Sequence, residues 1–148
     1  MNKKGFTLIE LLVVIAIIGL LSTLAIVALN SARQKSRDAK RVTDIKQIQT
    51  ALAIYYNDNL EYPADVVSGG SIGTTTDVIY MARVPTAPTP VDGNCRDAEN
   101  TYRYIREEPS GDSYELYYCL GAETGNIPAG VQIATPGAIY INIPPPQM

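Results

Sequence analysis

The run FTLIELLVVIAIIGLLSTLAIVAL (residues 6–29) decides the architecture. It holds about 24 residues with a single charge, and as a helix rising about 1.5 Å per residue it reaches roughly 36 Å, enough to cross a bilayer with some tilt. It is too long for the apolar core of a secretory signal, and Ile26-Val27-Ala28 makes only an imperfect small-residue cleavage site. The anomaly is Glu10. A carboxylate toward the middle of a spanning helix costs about 2.5–3.5 kcal/mol on insertion scales and needs a partner, yet the run offers no basic residue. The plainer alternative is an acid favoured by the dipole at the helix N-terminus.

Following the chain onward, Arg33, Lys35, Arg37, Lys40 and Arg41 come at once, with Asp38 and Asp44 among them. Long basic side chains at this point can snorkel to headgroups, and the plain reading of the cluster is a solvated helix face. Val42, Ile45, Ile48, Leu52, Tyr55 and Tyr56 then form one apolar stripe with neither Pro nor Gly to interrupt it. The pattern predicts one helix of about fifty residues, far longer than the ordinary globular mean, ending near Asn57 to Asn59.

Beyond Tyr62-Pro63 the composition changes. VVSGGSIGTTTD reads as a surface loop, DVIYMARV fits either a helical turn or a strand, and TAPTP is an extended connector. TYRYI and SYELYYCL alternate and flank the turn-like EEPSGD, which predicts an antiparallel hairpin. GAIYINI is expected to supply a third strand before the PPPQ tail. A sheet with one apolar face needs a cover, and the stripe of Ile45, Ile48, Leu52 and Tyr55 is the one available.

The chain has 148 residues, a net charge of −3 and 18% charged residues, giving room for one small globular domain and no global basic surface for nucleic acid. Histidine is absent, which removes the commonest general base and metal ligand and argues against an enzyme. Cys95 and Cys119 have one possible intrachain pairing if this part lies outside the cytoplasm, the alternative being two reduced core cysteines. Without histidine they make a poor zinc site. With Glu115 and Tyr117, Cys119 falls on the strand face opposite Leu116.

KKGFTLIELLVVIAIIGLL closely resembles the N-terminus of type IV pilins and type II secretion pseudopilins: a short basic leader ending in Gly, then Phe, then an acid at the fifth mature position. ALAIYYNDNLEYP, TYRY and SYELYYCL resemble the pseudopilin-like branch. The resemblance implies an α+β pilin fold, a long N-terminal helix packed in its second half on a small antiparallel sheet. It divides the chain into a leader (1–5), a transmembrane and filament-core helix (6–29), the amphipathic half of the same helix (30–60) and a globular head (61–148). A prepilin peptidase is expected to cut between Gly5 and Phe6 and to methylate Phe6. Glu10 would then face the new Phe6 amine of a neighbouring subunit, so the acid would fix register in an assembly.

The resemblance further implies a structural subunit of a pilus-like filament that partners identical subunits, the peptidase/methyltransferase and an inner-membrane assembly platform. The precursor would sit in the cytoplasmic membrane with its head outside, then move to a surface or periplasmic filament. The alternatives are a secretion pseudopilin and a DNA-binding minor pilin using Arg96, Arg103 and Arg106. No cofactor is expected. Major pseudopilins tend to bind calcium near the C-terminus, but IPAGVQIATPGAIYINIPPP has no acidic cluster, so no metal is expected either. Two features depart from the pattern. Lys3 and Lys4 are outnumbered by the cations after the span, and counting charges would put the C-terminal side in the cytoplasm. Gly19 is present, but no proline precedes Pro63, which bears on the helix unwinding of some pilus assemblies.

Overall fold

A computed structural model describes residues 5–74 and 78–140, and the chain divides into two units, one ending at Arg33 and the other beginning at Gln34. Helix α1 (Leu8–Asn59) is a single element of 52 residues, as the unbroken pattern predicts.

In the N-terminal unit none of the described residues covers the helix. Leu8, Leu20 and Leu21 are 81%, 64% and 59% exposed, on different sides of the cylinder. So much apolar surface in one place calls for lipid or for other chains around it. Two mid-helix hydroxyls are accommodated internally: Ser22 donates to the Ile18 carbonyl at 2.7 Å and Thr23 to that of Leu20 at 2.8 Å. Neither leaves a loose donor at membrane depth.

The second unit is built on the remaining part of α1. Ile45, Ile48, Ala51 and Leu52 are buried, each large aliphatic side chain contributing about 1.5–3 kcal/mol of transfer free energy. The sheet they meet has strands β3 (Arg103–Arg106), β4 (Tyr114–Leu120) and β5 (Gly130–Ala134) in that order, all antiparallel. Tyr104 pairs with Leu116, and Leu116 with Ala134. Tyr102, Tyr104, Tyr114, Leu116, Tyr118 and Leu120 turn into the core. The tyrosines interlock, with Tyr62 stacked on Tyr56 at 4.7 Å and edge-on to Tyr114 at the same distance. Their hydroxyls find acceptors: Tyr104 donates to the Pro63 carbonyl and Tyr118 to that of Ile139, both at 2.8 Å.

Three strand expectations need adjustment. The third strand is GVQIA, not GAIYINI. Gln132 and Ala134 share one face of it and Val131 and Ile133 the other, opposite Cys119 and Tyr117; Val131 is exposed, but Gln132, Ile133 and Ala134 are all buried, so burial does not follow a simple apolar alternation. The Gln132 amide is satisfied locally by the Pro128 carbonyl at 3.1 Å. Pro136-Gly137 then reverses the chain, Thr135 and Ala138 exchanging backbone hydrogen bonds, so Ala138 to Tyr140 do not form a strand; 141–143 and the PPPQ tail lie outside the described residues. Finally, the Gly/Thr/Ser loop contains β1 (Ile72–Gly73), which pairs with β2 (Ile79–Met81), so DVIYMARV resolves as a strand.

Candidate functional site

The N-terminal unit carries its chemistry where the helix starts. Gly5, Phe6 and Thr7 precede the first helical turn in non-helical backbone and are exposed. Phe6 is 79% exposed, and beyond its chain neighbours no atom of the described residues lies within 4 Å of where a Gly5 side chain would begin. The peptide bond joining them is thus open to a protease. Thr7 caps the helix. Its Oγ1 accepts from the Glu10 amide at 3.3 Å, while its own amide and hydroxyl donate to Glu10 Oε2 at 2.8 and 2.6 Å. This is a capping box, in which the first-turn acid reaches back to the cap residue and both orphan amides are satisfied.

Glu10 therefore has a partner in its own chain, contrary to the expectation that only a neighbouring subunit could supply one. The missed signal was T-x-x-E directly before an apolar run. All three bonds use Oε2 or the backbone, and Oε1 takes part in none of them.

In the head, the stripe Ile45–Ile48–Leu52 continues backward through Arg41 and Asp38 at the same helical spacing, and both are buried, at 1% and 0% exposed. Arg41 donates to Asp38 at 2.8 Å, Asp92 at 3.0 Å, the Pro88 carbonyl at 3.0 Å and Asn100 at 3.1 Å. Asp38 also accepts from the amides of Gly121 and Ala122 at 2.9 and 3.0 Å. Arg37 closes on Asp92 from outside, its Nε donating at 2.7 Å. That bond holds the Asp92 carboxyl below the usual carboxylate range against the opposing effect of burial, and Asp92 in turn raises Arg37. Nearby, Tyr102 donates to buried Asp44 at 2.9 Å, and Lys40 pairs with the same carboxylate. Burial pushes the Tyr102 hydroxyl well above its ordinary pKa.

The reading of this stretch as a solvated face is thus corrected for Arg37 and Arg41. They tie the helix to the 88–100 segment, and Asp38 ties it to the residues after β4. Arg33 and Lys35 remain exposed. A disulfide joins Cys95 to Cys119 with Cα atoms 6.0 Å apart, beside the same ion cluster. The two segments it links approach so closely that a side chain at Gly93 would collide with the Gly121 carbonyl, and one at Gly121 with Asp92. Both must be glycine, and Gly93 also sits at φ +58°.

Arg96, Arg103 and Arg106 are separately engaged rather than gathered on one edge. Arg96 is an exposed partner of Glu99, Arg103 lies 5.2 Å over the Tyr117 ring, and Arg106 binds Glu108 at 2.6 Å and faces Glu61 at 3.6 Å.

With this geometry in view, residues 1–26 match the family model described as the prokaryotic N-terminal methylation motif. The chain is similar to the type II secretion system core protein G of Escherichia coli K12, at 32% identity over 115 residues covering 78% of this chain and 72% of that one. It is similarly related to that of Vibrio cholerae, at 32% over 126 residues, 85% and 77%. A fimbrial protein of Neisseria meningitidis is 33% identical over 76 residues, 51% of this chain and 44% of its own. No solved structure matches significantly.

Proposed function

The chain belongs to the family of the type II secretion system core protein G, and we propose that it works in a secretion apparatus of that type rather than in a long surface pilus. It is a structural subunit of a pilus-like filament, processed by a prepilin peptidase and polymerised through its N-terminal helix; the precursor is anchored in a membrane by that helix. The observation that carries the reading is an apolar helix bare on every side that opens on a capped acid and an exposed Gly5–Phe6 bond. The secretion role rests on coverage, since the similarity to core protein G takes in 78% of the chain and so reaches well into the head, while that to the fimbrial protein spans 51%.

Cleavage after Gly5 frees an α-amino group on Phe6. The capping box suits Glu10 to receive such an amine from another subunit: Thr7 holds Oε2 and fixes the carboxylate, and Oε1 is left to accept. A buried amine without its opposite charge is strongly destabilising, so the pair would set register. The head lies outside the cytoplasm, where the Cys95–Cys119 bond persists, and an inner-membrane platform extracts the subunit. The reading assigns the chain no catalysis, cofactor or nucleic-acid binding, in keeping with the dispersed arginines and the missing histidine. Deleting the gene should trap secreted proteins in the periplasm, and intact-mass analysis of the filament protein should give a chain starting at N-methylated Phe6. Normal secretion would exclude the secretion role, and a mature chain starting elsewhere would exclude the cleavage site.

A further inference from the structure

Leu60 is the most conspicuous exposed side chain of the head. It follows the last helical residue and caps α1, its amide donating to the Tyr56 carbonyl at 2.8 Å, in the left-handed region at φ 60°. Glycine or asparagine is the easy residue there, and a branched apolar one is disfavoured. Yet Leu60 is 78% exposed, so its side chain recovers nothing within the chain. Asp58 and Glu61, both exposed, flank it.

Elsewhere on the head an open hollow of about 530 Å³ is floored by Pro85, Ala87 and Pro88 and edged by Lys40 and Arg83. Arg83 is exposed, and no ion pair engages it among the described residues. Lys40 pairs with Asp44 but leaves its side chain 55% exposed. The knob and the hollow are complementary. One is an apolar tip between carboxylates, the other an apolar floor between an ammonium and a guanidinium. They lie twenty positions apart along α1 at its two ends within the head, roughly 30 Å at the helical rise, so one copy cannot fill its own hollow.

We propose that the Leu60 knob of one subunit seats in the Lys40/Arg83 hollow of the next, with Asp58 and Glu61 opposite the two cations. A patch that fits a pocket elsewhere on the same molecule makes a contact that repeats in one direction without closing, the rule that yields open filaments. The contact rests on the filament reading and adds to it a register between heads, independent of the helix bundle.

The test is disulfide trapping in filaments of the full chain. Leu60→Cys combined with Thr86→Cys, at the rim of the hollow, should give on mild oxidation a ladder of covalent multimers, and neither single variant should. Leu60→Lys should lower filament yield about tenfold by setting like charges together, and adding Arg83→Glu should restore much of it. Both sites are exposed, so the fold should survive each change. Filaments that form normally with Leu60→Lys and give no ladder overturn the contact alone. Cross-links only to species other than multiples of the chain's own mass point to another occupant and overturn it too. A chain that forms no filament even unsubstituted overturns the filament reading and the contact with it.

Discussion

Between Leu8 and Leu29 helix α1 is apolar on every side and buries none of it, whereas from Asp38 to Leu52 it is largely polar and buries a stripe that starts with two charges. Hydrophobicity alone would assign burial the other way round. The N-terminal half exports its apolar surface to whatever surrounds it, lipid or other subunits, so its stability as a helix depends on capping and on a continuous backbone ladder. The second half has a sheet to lie against, and the sheet's loops bring amides, carbonyls and Asp92 to the same stripe. Asp38 and Arg41 are buried there because every loop group they meet is a hydrogen-bond partner.

The contrast predicts that equally small changes in the two halves fail in different assays. If the Glu10 charge acts between subunits as proposed, Glu10→Ala should abolish filaments while leaving insertion, cleavage and head stability intact; insertion should become easier. Glu10→Gln sharpens the point. An amide preserves the capping box, so filaments as sparse as those of Glu10→Ala assign the role to the charge, and normal filaments assign it to the cap. Comparison of sheared filament with cleaved subunit in the membrane decides between them.

Arg41→Ala should produce the converse, with the head losing about 3–5 kcal/mol because Asp38 and Asp92 keep their burial and lose their shared counter-ion. Chemical denaturation of the full chain in detergent measures it, and a loss below 1 kcal/mol would break the distinction drawn between the halves. Replacing Cys95 and Cys119 with serine should cost roughly 3 kcal/mol in the same assay, the bond spanning a sequence separation of 24.

The head, and not the N-terminal half, should also limit stability at both extremes of pH. Asp92 is held low in the fold by Arg37, so its contribution is present above its ordinary value of 3.8 and is lost as pH falls through the folded value. Tyr102, Tyr104, Tyr114 and Tyr118 are raised by burial, so their contribution is complete below pH 10 and declines above it, where the unfolded chain ionises first. Near-ultraviolet circular dichroism against pH should fall at both ends, and a flat alkaline limb would contradict the burial of these hydroxyls. The smallest effect is expected for Thr7→Ala, about 1 kcal/mol at the helix start, seen as faster amide exchange of the first turn with no change in the head.

Parts of this arrangement were legible in advance. The helix and its end follow from an uninterrupted apolar pattern, and the β3–β4 hairpin from alternation around a turn. The T-x-x-E box is equally present in the sequence, but an acid in an apolar run calls first for a cation, and that masks the hydroxyl three residues before it. Asp38 and Arg41 were harder. They stand at the stripe's spacing, yet on a helix with Lys and Arg all around, charge argues for solvent more strongly than position argues for burial. β5 escaped because its core-facing residues are an amide and a methyl group, which alternation scores as the wrong face.

The sequence by itself determined what depends on neighbours along the chain: an apolar helix long enough to cross a membrane, its cap, its apolar stripe, the hairpin, and the N-terminal methylation motif. Local periodicity and short motifs carry these, and no distant contact can undo a run of about 24 residues with a single charge. Only the tertiary structure decided which cations are structural, which strand completes the sheet, and that Gly93 and Gly121 must be bare. Each of those depends on groups ten or more residues apart meeting within hydrogen-bond or van der Waals distance, where the cost of burying a charge or a polar amide is set by partners that the local pattern does not contain.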